Sequence, residues 1–186
     1  MPIIKIISAS IRRGRLSHRV AIYFKNFLEE KNIVSVEIID LDKYAFPLFD
    51  ERLRFQESPS ETMLDFAGKI KKSDGIIIVT PEYNGGYPAS LKNAIDLLSD
   101  EWVHRPVAIA TVSDGIFGGT QVIISLQFVL WKMKAWVVSA RFPVTRVQES
   151  FDENGIPADK VATDRRAGSF IDELLWCIEA KSQMGK

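Results

Sequence analysis

The feature that most constrains the fold is a series of short segments that are apolar at nearly every position and alternate with longer amphipathic segments. The strongest of them spans residues 75–80, and its centre, from Ile76 to Val79, contains only β-branched residues. A strand with two apolar faces has to be covered on both sides, which is typical of the parallel sheets of α/β proteins. We predict five such strands, at residues 3–7, 34–41, 75–80, 107–112 and 135–139.

The segments between the strands repeat apolar residues at helical spacing. We predict helices at residues 17–31, 61–72, 88–99, 119–132 and 160–181. This alternation predicts an α/β fold, a flavodoxin-like three-layer sandwich with five parallel strands in the order 2-1-3-4-5 and helices on both faces. The length fits a single domain over residues 1–186. Ligands of such sheets bind outside the carboxyl ends of the strands, so the loops after strands one, three and four are the candidate site.

The charges of the chain balance, with 24 lysines and arginines against 24 aspartates and glutamates. This leaves no overall field for nucleic acid or an anionic membrane, so we expect neither partner. The single cysteine, Cys177, excludes an internal disulfide and a cysteine metal cluster, and no apolar run is long enough to span a bilayer. We expect a cytoplasmic protein with no membrane insertion and no metal site. Residues 1–28 nevertheless contain six lysines and arginines and no carboxylate, which gives a local positive field.

The loop at residues 8–19 carries much of this positive charge and leads into the first predicted helix. Helix N-termini, serine hydroxyls and arginines all bind phosphate groups well. The loop has neither Walker A nor GxGxxG spacing, which argues against the common nucleotide-binding folds. Two alternatives remain open: Ser17 could simply cap the helix while the arginines are solvated, and His18 could either donate to a phosphate or lie in solvent at the helix start.

Two further loops could accept a flat ligand. The loop at residues 80–88 contains Gly85 and Gly86, which let a backbone approach a ring closely, and two tyrosines. The loop at residues 113–120 contains three glycines. The alternatives are a plain turn for the first of these loops and a flexible connection for the second.

At these loops the chain resembles the NADPH-dependent FMN reductase family, which includes quinone, azo-dye and chromate reductases. Ser10, Arg12 and Ser17 match the start of the family's first loop. Residues 81–84, with the sequence PEYN, and residues 91–96, with the sequence LKNAID, match its signature almost letter for letter. Asp114 departs from it, since a neutral residue is common there. The resemblance runs from the first strand to the last helix.

The resemblance implies an oxidoreductase with FMN and NAD(P)H as cofactors that reduces quinones, azo compounds or similar acceptors. It implies ping-pong hydride transfer through flavin N5, with no catalytic side chain, and a homodimer or homotetramer. Three groups of residues would hold FMN: Ser10, Arg12, Arg15 and Ser17 at the phosphate, Pro81, Glu82, Tyr83 and Asn84 along the isoalloxazine ring, and Ser113 and Gly115 at its other edge. Gly85 and His18, in the same loops, complete the predicted site.

Two other functions remain open from sequence alone: an electron carrier like flavodoxin, or a flavin-binding redox sensor without enzymatic activity. Carriers of that kind usually have a strongly acidic face, which a chain with balanced charges does not suggest. Four tryptophans are many for one core of this size. We expect Trp102 and Trp131 at a subunit interface, and Trp136 and Trp176 in the core.

Overall fold

Five parallel strands form one sheet in the computed structural model, which describes residues 1–184. The strands are β1 Ile3–Ser8, β2 Ser35–Asp40, β3 Gly75–Pro81, β4 Pro106–Val112 and β5 Trp136–Val144. Their order is β2-β1-β3-β4-β5, and every neighbouring pair is parallel. This confirms the predicted flavodoxin-like order, in which β1 lies at the point where the strand order reverses.

Seven α-helices accompany the sheet in the described part of the chain: α1 Ser17–Lys31, α2 Leu41–Tyr44, α3 Glu61–Lys72, α4 Ala89–Leu97, α5 Thr120–Lys132, α6 Val147–Ser150 and α7 Lys160–Met184. The five long ones correspond to the predicted helices, and α1 and α3 have the predicted bounds. The single-turn helices α2 and α6 lie at or in the connections that showed no clear pattern. None of the helices within residues 1–184 combines the length and apolar character needed to cross a membrane.

The core lies in two layers on opposite faces of the sheet. Ile77 and Val79 of β3 pack into the layer that contains α1 and α7, whereas Ile76 and Ile78 pack into the layer of α3, α4 and α5. All four side chains are fully buried. Successive strand residues point to opposite faces, so burial on both sides explains why the centre of the strand, from Ile76 to Val79, has no polar residue.

Strand β5 is five residues longer at its carboxyl end than predicted, since it reaches Val144 instead of residue 139. Arg141 and Pro143 interrupt the apolar pattern and hide this extension in the sequence. Both are tolerated because β5 is an edge strand that pairs only with β4. The extension carries the chain to the same edge of the sheet as the ends of β1, β3 and β4.

The segment after α6 packs tightly against α1. Gly155 has a φ of +75°, and a Cβ atom there would lie 2.6 Å from the backbone nitrogen of Tyr23. Arg19 Nη1 donates to the carbonyl oxygen of Phe151 over 2.8 Å, and Asn26 donates to that of Asn154. These contacts hold α1 in place close to its N-terminus, at the candidate site.

The expected roles of two tryptophans are wrong. Trp102 is fully buried and donates through Nε1 to the carbonyl oxygen of Ile95, so it belongs to the core rather than to an interface. Trp176 is 65% exposed, because it lies about 200° around α7 from the buried Leu174. Trp136 is partly buried and Trp131 is 65% exposed.

Candidate functional site

A cleft of about 440 Å³ lies outside the carboxyl ends of the strands. It brings together eight of the residues predicted from sequence: Arg12, Arg15, Ser17, Pro81, Glu82, Tyr83, Ser113 and Gly115. Four others lie beside it without lining it: Ser10, His18, Asn84 and Gly85. Gly14, Leu16, Val112, Asp114, Val147 and Gln148 complete the lining.

One end of the cleft is the N-terminus of α1. Ser17 is the first residue of this helix, and the residue before it, Leu16, has helical backbone angles and makes no side-chain cap. The hydroxyl of Ser17 is buried and is the one buried side-chain polar atom within residues 1–184 that has no hydrogen-bond partner. An uncapped helix start with an unpaired hydroxyl fits an oxyanion, such as a phosphate group. The arrangement also shows that Ser17 is not the cap that the alternative interpretation required.

Arg15 binds the protein rather than projecting freely into the cleft. Its two terminal nitrogens donate to both carboxylate oxygens of Asp40 over 2.5 and 2.6 Å, and Nη1 also donates to the carbonyl oxygen of Ser10. Asp42 lies 3.6 Å from the same guanidinium. The bidentate pair fixes the first loop to the end of β2. Arg12, by contrast, lines the cleft with an exposed side chain.

The Arg15–Asp40 pair changes the pKa of both groups. Burial by itself raises the pKa of Asp40, but the hydrogen bonds and charge of Arg15 outweigh it and hold this pKa below its ordinary value. The pKa of Arg15 is raised, mainly by its hydrogen bond to Asp40. Sequence reasoning missed Asp40. The available signal was that a carboxylate ends β2, which pairs with β1 so that Asp40 lies beside Ser8.

Two contacts of serine hydroxyl groups hold the first loop in place. The Ser10 hydroxyl lies 2.7 Å from that of Tyr83, which joins the first loop to the second. The Ser8 hydroxyl lies 3.0 Å from Nδ1 of His18. Burial, more than the nearby charges of Asp40 and Arg15, sets the net direction of the His18 pKa, which is lowered. The lowered pKa favours the neutral form of His18, so the positive charge of this end of the cleft comes mainly from other groups.

The second loop forms a tight turn after β3. The backbone N–H and C=O groups of Tyr83 pair with those of Gly86, and Asn84 and Gly85 form the tip with φ angles of 53° and 80°. Asparagine and glycine are favoured in such turns because both tolerate positive φ. The Asn-Gly pair therefore determines the shape of the loop, and Asn84 points out to solvent.

Glu82 connects the second loop to the third. Its Oε2 atom accepts hydrogen bonds from the backbone nitrogens of Gln121 and Val122 over 3.0 and 3.2 Å, at the start of α5. The residue before α5 is Gly119, which has a φ of 68° and no side chain to serve as a cap. The carboxylate of Glu82 thus accepts hydrogen bonds from N–H groups at the start of α5 that have no partner within the helix, and the partial positive charge of the helix N-terminus stabilises the carboxylate.

The far wall of the cleft comes from Val147 and Gln148, in a segment that sequence reasoning placed in a long connection. The nitrogen of Ser113 donates to Val144, and the nitrogen of Val147 donates back to Ser113. The nitrogen of Arg146 donates to the carbonyl oxygen of Gly115. The extension of β5 brings this wall to the sheet edge, and because Arg141 and Pro143 hide that extension, no local pattern in the sequence identifies the wall. No group of three or more side chains suited to a metal ion occurs in the part of the chain described.

Comparison with known proteins gives consistent matches. The model of the NADPH-dependent FMN reductase family matches residues 2–149. An NAD(P)H-dependent FMN reductase of Saccharomyces cerevisiae is 33% identical over 155 residues, which is 75% of this chain and 80% of that protein. A quinone reductase of Escherichia coli is 35% identical over 135 residues, 70% of each protein.

Among solved structures, the flavoenzyme FerB of Paracoccus denitrificans, an NAD(P)H:(acceptor) oxidoreductase, superposes with a TM-score of 0.78 at 23% identity. The match covers 96% of this chain and 98% of FerB. An FMN-dependent NADH-azoreductase of Bacillus anthracis in complex with FMN gives a TM-score of 0.56 at 18% identity and covers all of both chains. At these levels of sequence identity, the two similarities establish a shared fold.

The variant Asp40→Asn tests the ion pair between Arg15 and Asp40, which fixes the first loop to β2. At pH 7 we expect it to lower the free energy of unfolding by about 2 kcal/mol, because it removes the bidentate charged partner of Arg15 and leaves only the more distant, exposed carboxylate of Asp42. Because the pKa of Asp40 is lowered in the folded protein, the full difference in unfolding free energy between wild type and variant is present above the pKa of an unfolded carboxyl group, about 3.9. It is lost progressively as the pH falls through the lower pKa of the folded carboxyl.

Urea unfolding at pH 7 and at several values below pH 4 measures this difference. Asp172→Asn, which neutralises an exposed carboxylate on α7, serves as the control. Equal stability of Asp40→Asn and the wild type at pH 7 would contradict the role of the pair.

Proposed function

The chain belongs to the NADPH-dependent FMN reductase family, and we propose that it binds FMN in the cleft at the sheet edge. It is an NAD(P)H-dependent oxidoreductase with FMN as its cofactor. We also propose that the electron acceptor is a quinone, an azo compound or a similar small molecule, because similar proteins are named quinone reductase and azoreductase. The observation that carries it is the unpaired, buried hydroxyl of Ser17 at the uncapped start of α1.

At the phosphate end, Ser17, Arg12 and the first turn of α1 would bind the FMN phosphate. Ser17 supplies a hydroxyl that has no protein partner, and Arg12 supplies an exposed guanidinium at the cleft. Arg15 is occupied by Asp40, so its contribution is to hold the loop in a conformation that receives the phosphate. Ser10 and His18 support the same loop through Tyr83 and Ser8.

At the ring end, Pro81, Glu82 and Tyr83 face Ser113 and Gly115 across the cleft. When bound, FMN would supply the redox chemistry, which is hydride transfer from NAD(P)H followed by electron transfer to an acceptor. The side chains here orient rather than react: the carboxylate of Glu82 is bonded to α5 and the hydroxyl of Tyr83 to Ser10. Backbone N–H groups of the two loops would contact the polar edge of the ring and stabilise negative charge on it.

A single cleft of this size favours ping-pong kinetics, in which NAD(P)H and the acceptor occupy the same space in turn. The phosphate and ring ends would be filled by the cofactor, which leaves one open side for both substrates. We also propose a cytoplasmic location, because the reaction depends on a supply of reduced nicotinamide.

We further propose that the protein is a homodimer or homotetramer that associates through α5. Ile124, Phe128 and Trp131 recur three or four residues apart on this helix, and 76%, 61% and 65% of their surfaces are exposed. Ile116 and Phe117 of the third loop, also exposed, precede the same helix. A contiguous apolar surface of this kind marks an interaction site, and a two-fold axis would let it cover itself.

The visible spectrum of the purified protein tests the proposed function. We expect the protein to bind FMN and become yellow, to lose its colour when NADPH is added without oxygen, and to regain it when a quinone is added. A protein that cannot take up FMN would overturn the proposal. A flavin that NAD(P)H does not bleach would instead indicate a carrier or a sensor.

The variant Ser17→Ala tests the phosphate position. We expect the dissociation constant for FMN to rise about tenfold or more, because a hydrogen bond to a charged group is lost. The free energy of unfolding of the protein without FMN should not fall, since the removed hydroxyl has no partner. Titration of the apoprotein with FMN, followed by flavin fluorescence, gives the first value, and urea unfolding gives the second. Ser169→Ala, on the exposed side of α7, is the control; a matching affinity in both variants would refute the assignment.

The variant Trp131→Ser tests the α5 interface. We expect it to dissociate the oligomer at micromolar concentration, which light scattering coupled to gel filtration would detect. Trp176→Ser is a closely matched control, because Trp176 is also 65% exposed but lies on α7. An oligomer that survives Trp131→Ser, or one that only Trp176→Ser dissociates, would exclude α5 as the interface.

A further inference from the structure

Asp114 places a carboxylate at the far end of the cleft. Its Oδ1 atom accepts a hydrogen bond from Nε2 of Gln148 over 2.8 Å, and both residues line the cleft. Within residues 1–184, no other hydrogen bond to this side chain and no ion pair with it occurs. The carboxylate is therefore oriented by one protein contact and keeps its second oxygen available to whatever enters the cleft.

The backbone on both sides of Asp114 is fixed. Ser113 bonds through its nitrogen to Val144 and through its carbonyl oxygen to the nitrogen of Val147. Gly115 accepts a hydrogen bond from the nitrogen of Arg146, and the Ser113 hydroxyl also donates to its carbonyl oxygen. The third loop is thus attached to the segment after β5 at two points that flank Asp114, so the carboxylate stays at the cleft.

The order of the strands separates Asp114 from the phosphate end. The phosphate loop follows β1, whereas Asp114 follows β4, and β3 lies between these strands. Neighbouring strands are about 4.8 Å apart, so two steps across the sheet give a separation of about 10 Å. Asp114 therefore belongs to the end of the cleft where the ring and the acceptor would lie.

The charges along the cleft differ from one end to the other. Arg12 and the start of α1 make the phosphate end positive. At the ring end, the charge of Glu82 is offset by the backbone nitrogens at the start of α5, and Arg146 lies 3.9 Å from Glu149. Asp114 has only the neutral amide of Gln148 as a partner, which leaves a net negative charge at the ring end.

We propose that Asp114, positioned by Gln148, is a specificity-determining residue that selects neutral or cationic acceptors and disfavours anionic ones. This inference rests on the proposed function. An anionic group held within several ångströms of this exposed carboxylate would be repelled, by an amount that falls as the salt concentration rises. The FMN phosphate would lie about 10 Å from Asp114, two strands away across the sheet, so Asp114 would act on it more weakly than on a group at the ring end.

Asp114→Asn tests the inference, because it removes the charge and preserves the shape and the amide contact. The measurement is kcat/KM for a neutral naphthoquinone and for its ring sulfonate, at low ionic strength. We expect the preference of the wild type for the neutral quinone to fall about tenfold in the variant, and the difference between the two proteins to shrink in high salt.

Equilibrium binding gives a readout independent of turnover. We expect naphthalene sulfonate, added to the oxidised holoenzyme, to perturb the flavin spectrum, with a dissociation constant about tenfold lower in Asp114→Asn. Gln148→Ala, which keeps the charge but removes its hydrogen bond, should show a smaller change in the same direction. Asp172→Asn alters the net charge equally, on the exposed side of α7, and should leave both measurements unchanged.

An unchanged preference and an unchanged sulfonate affinity in Asp114→Asn, in a protein that binds FMN and reduces the neutral quinone, would overturn this inference alone. A wild-type protein that neither binds FMN nor reduces any quinone would overturn the proposed function as well. An equal change in Asp172→Asn would assign the effect to overall charge and would also overturn the role of Asp114.

Discussion

Burial of both faces of the parallel sheet is the constraint on which the site depends. Side chains of β3 are apolar on both faces of the sheet, so helices have to cover both faces. Successive parallel strands are joined by crossover connections that contain these helices. The crossovers bring the carboxyl ends of β1, β3 and β4 to one edge. The loops that leave those ends then share a cleft, although they are separated by up to a hundred residues in the chain.

The loops keep their shapes through polar contacts with one another. Arg15 binds Asp40 of β2, Ser10 binds Tyr83, and Glu82 completes the start of α5. A buried or half-buried polar group that has found its partner in the protein is supporting the site. The groups that remain available to a ligand are those without such a partner, above all the hydroxyl of Ser17 and one oxygen of Asp114. This distinction separates the residues that shape the cleft from those that would bind in it.

Local sequence patterns predicted the bounds of a helix or strand well where its buried side is apolar along its whole length. The bounds of α1 and α3 were correct, because their apolar stripes and polar ends agree. The pattern failed at β5, where an edge position tolerates arginine and proline inside the strand. It also failed for Trp102 and Trp176, since the burial of a single large side chain depends on the direction in which it points and on what lies opposite.

The sequence by itself determined the two-sided strands, their order in the α/β fold, the three loops of the site and, through the motif at residues 81–96, the family. Only the tertiary structure decided which of these residues remain free to bind. It paired Arg15 with Asp40, 25 residues away, and brought Gln148 beside Asp114 across 34 residues. Such pairings depend on the register of neighbouring strands and on the positions of their ends, which no local pattern of polar and apolar residues records.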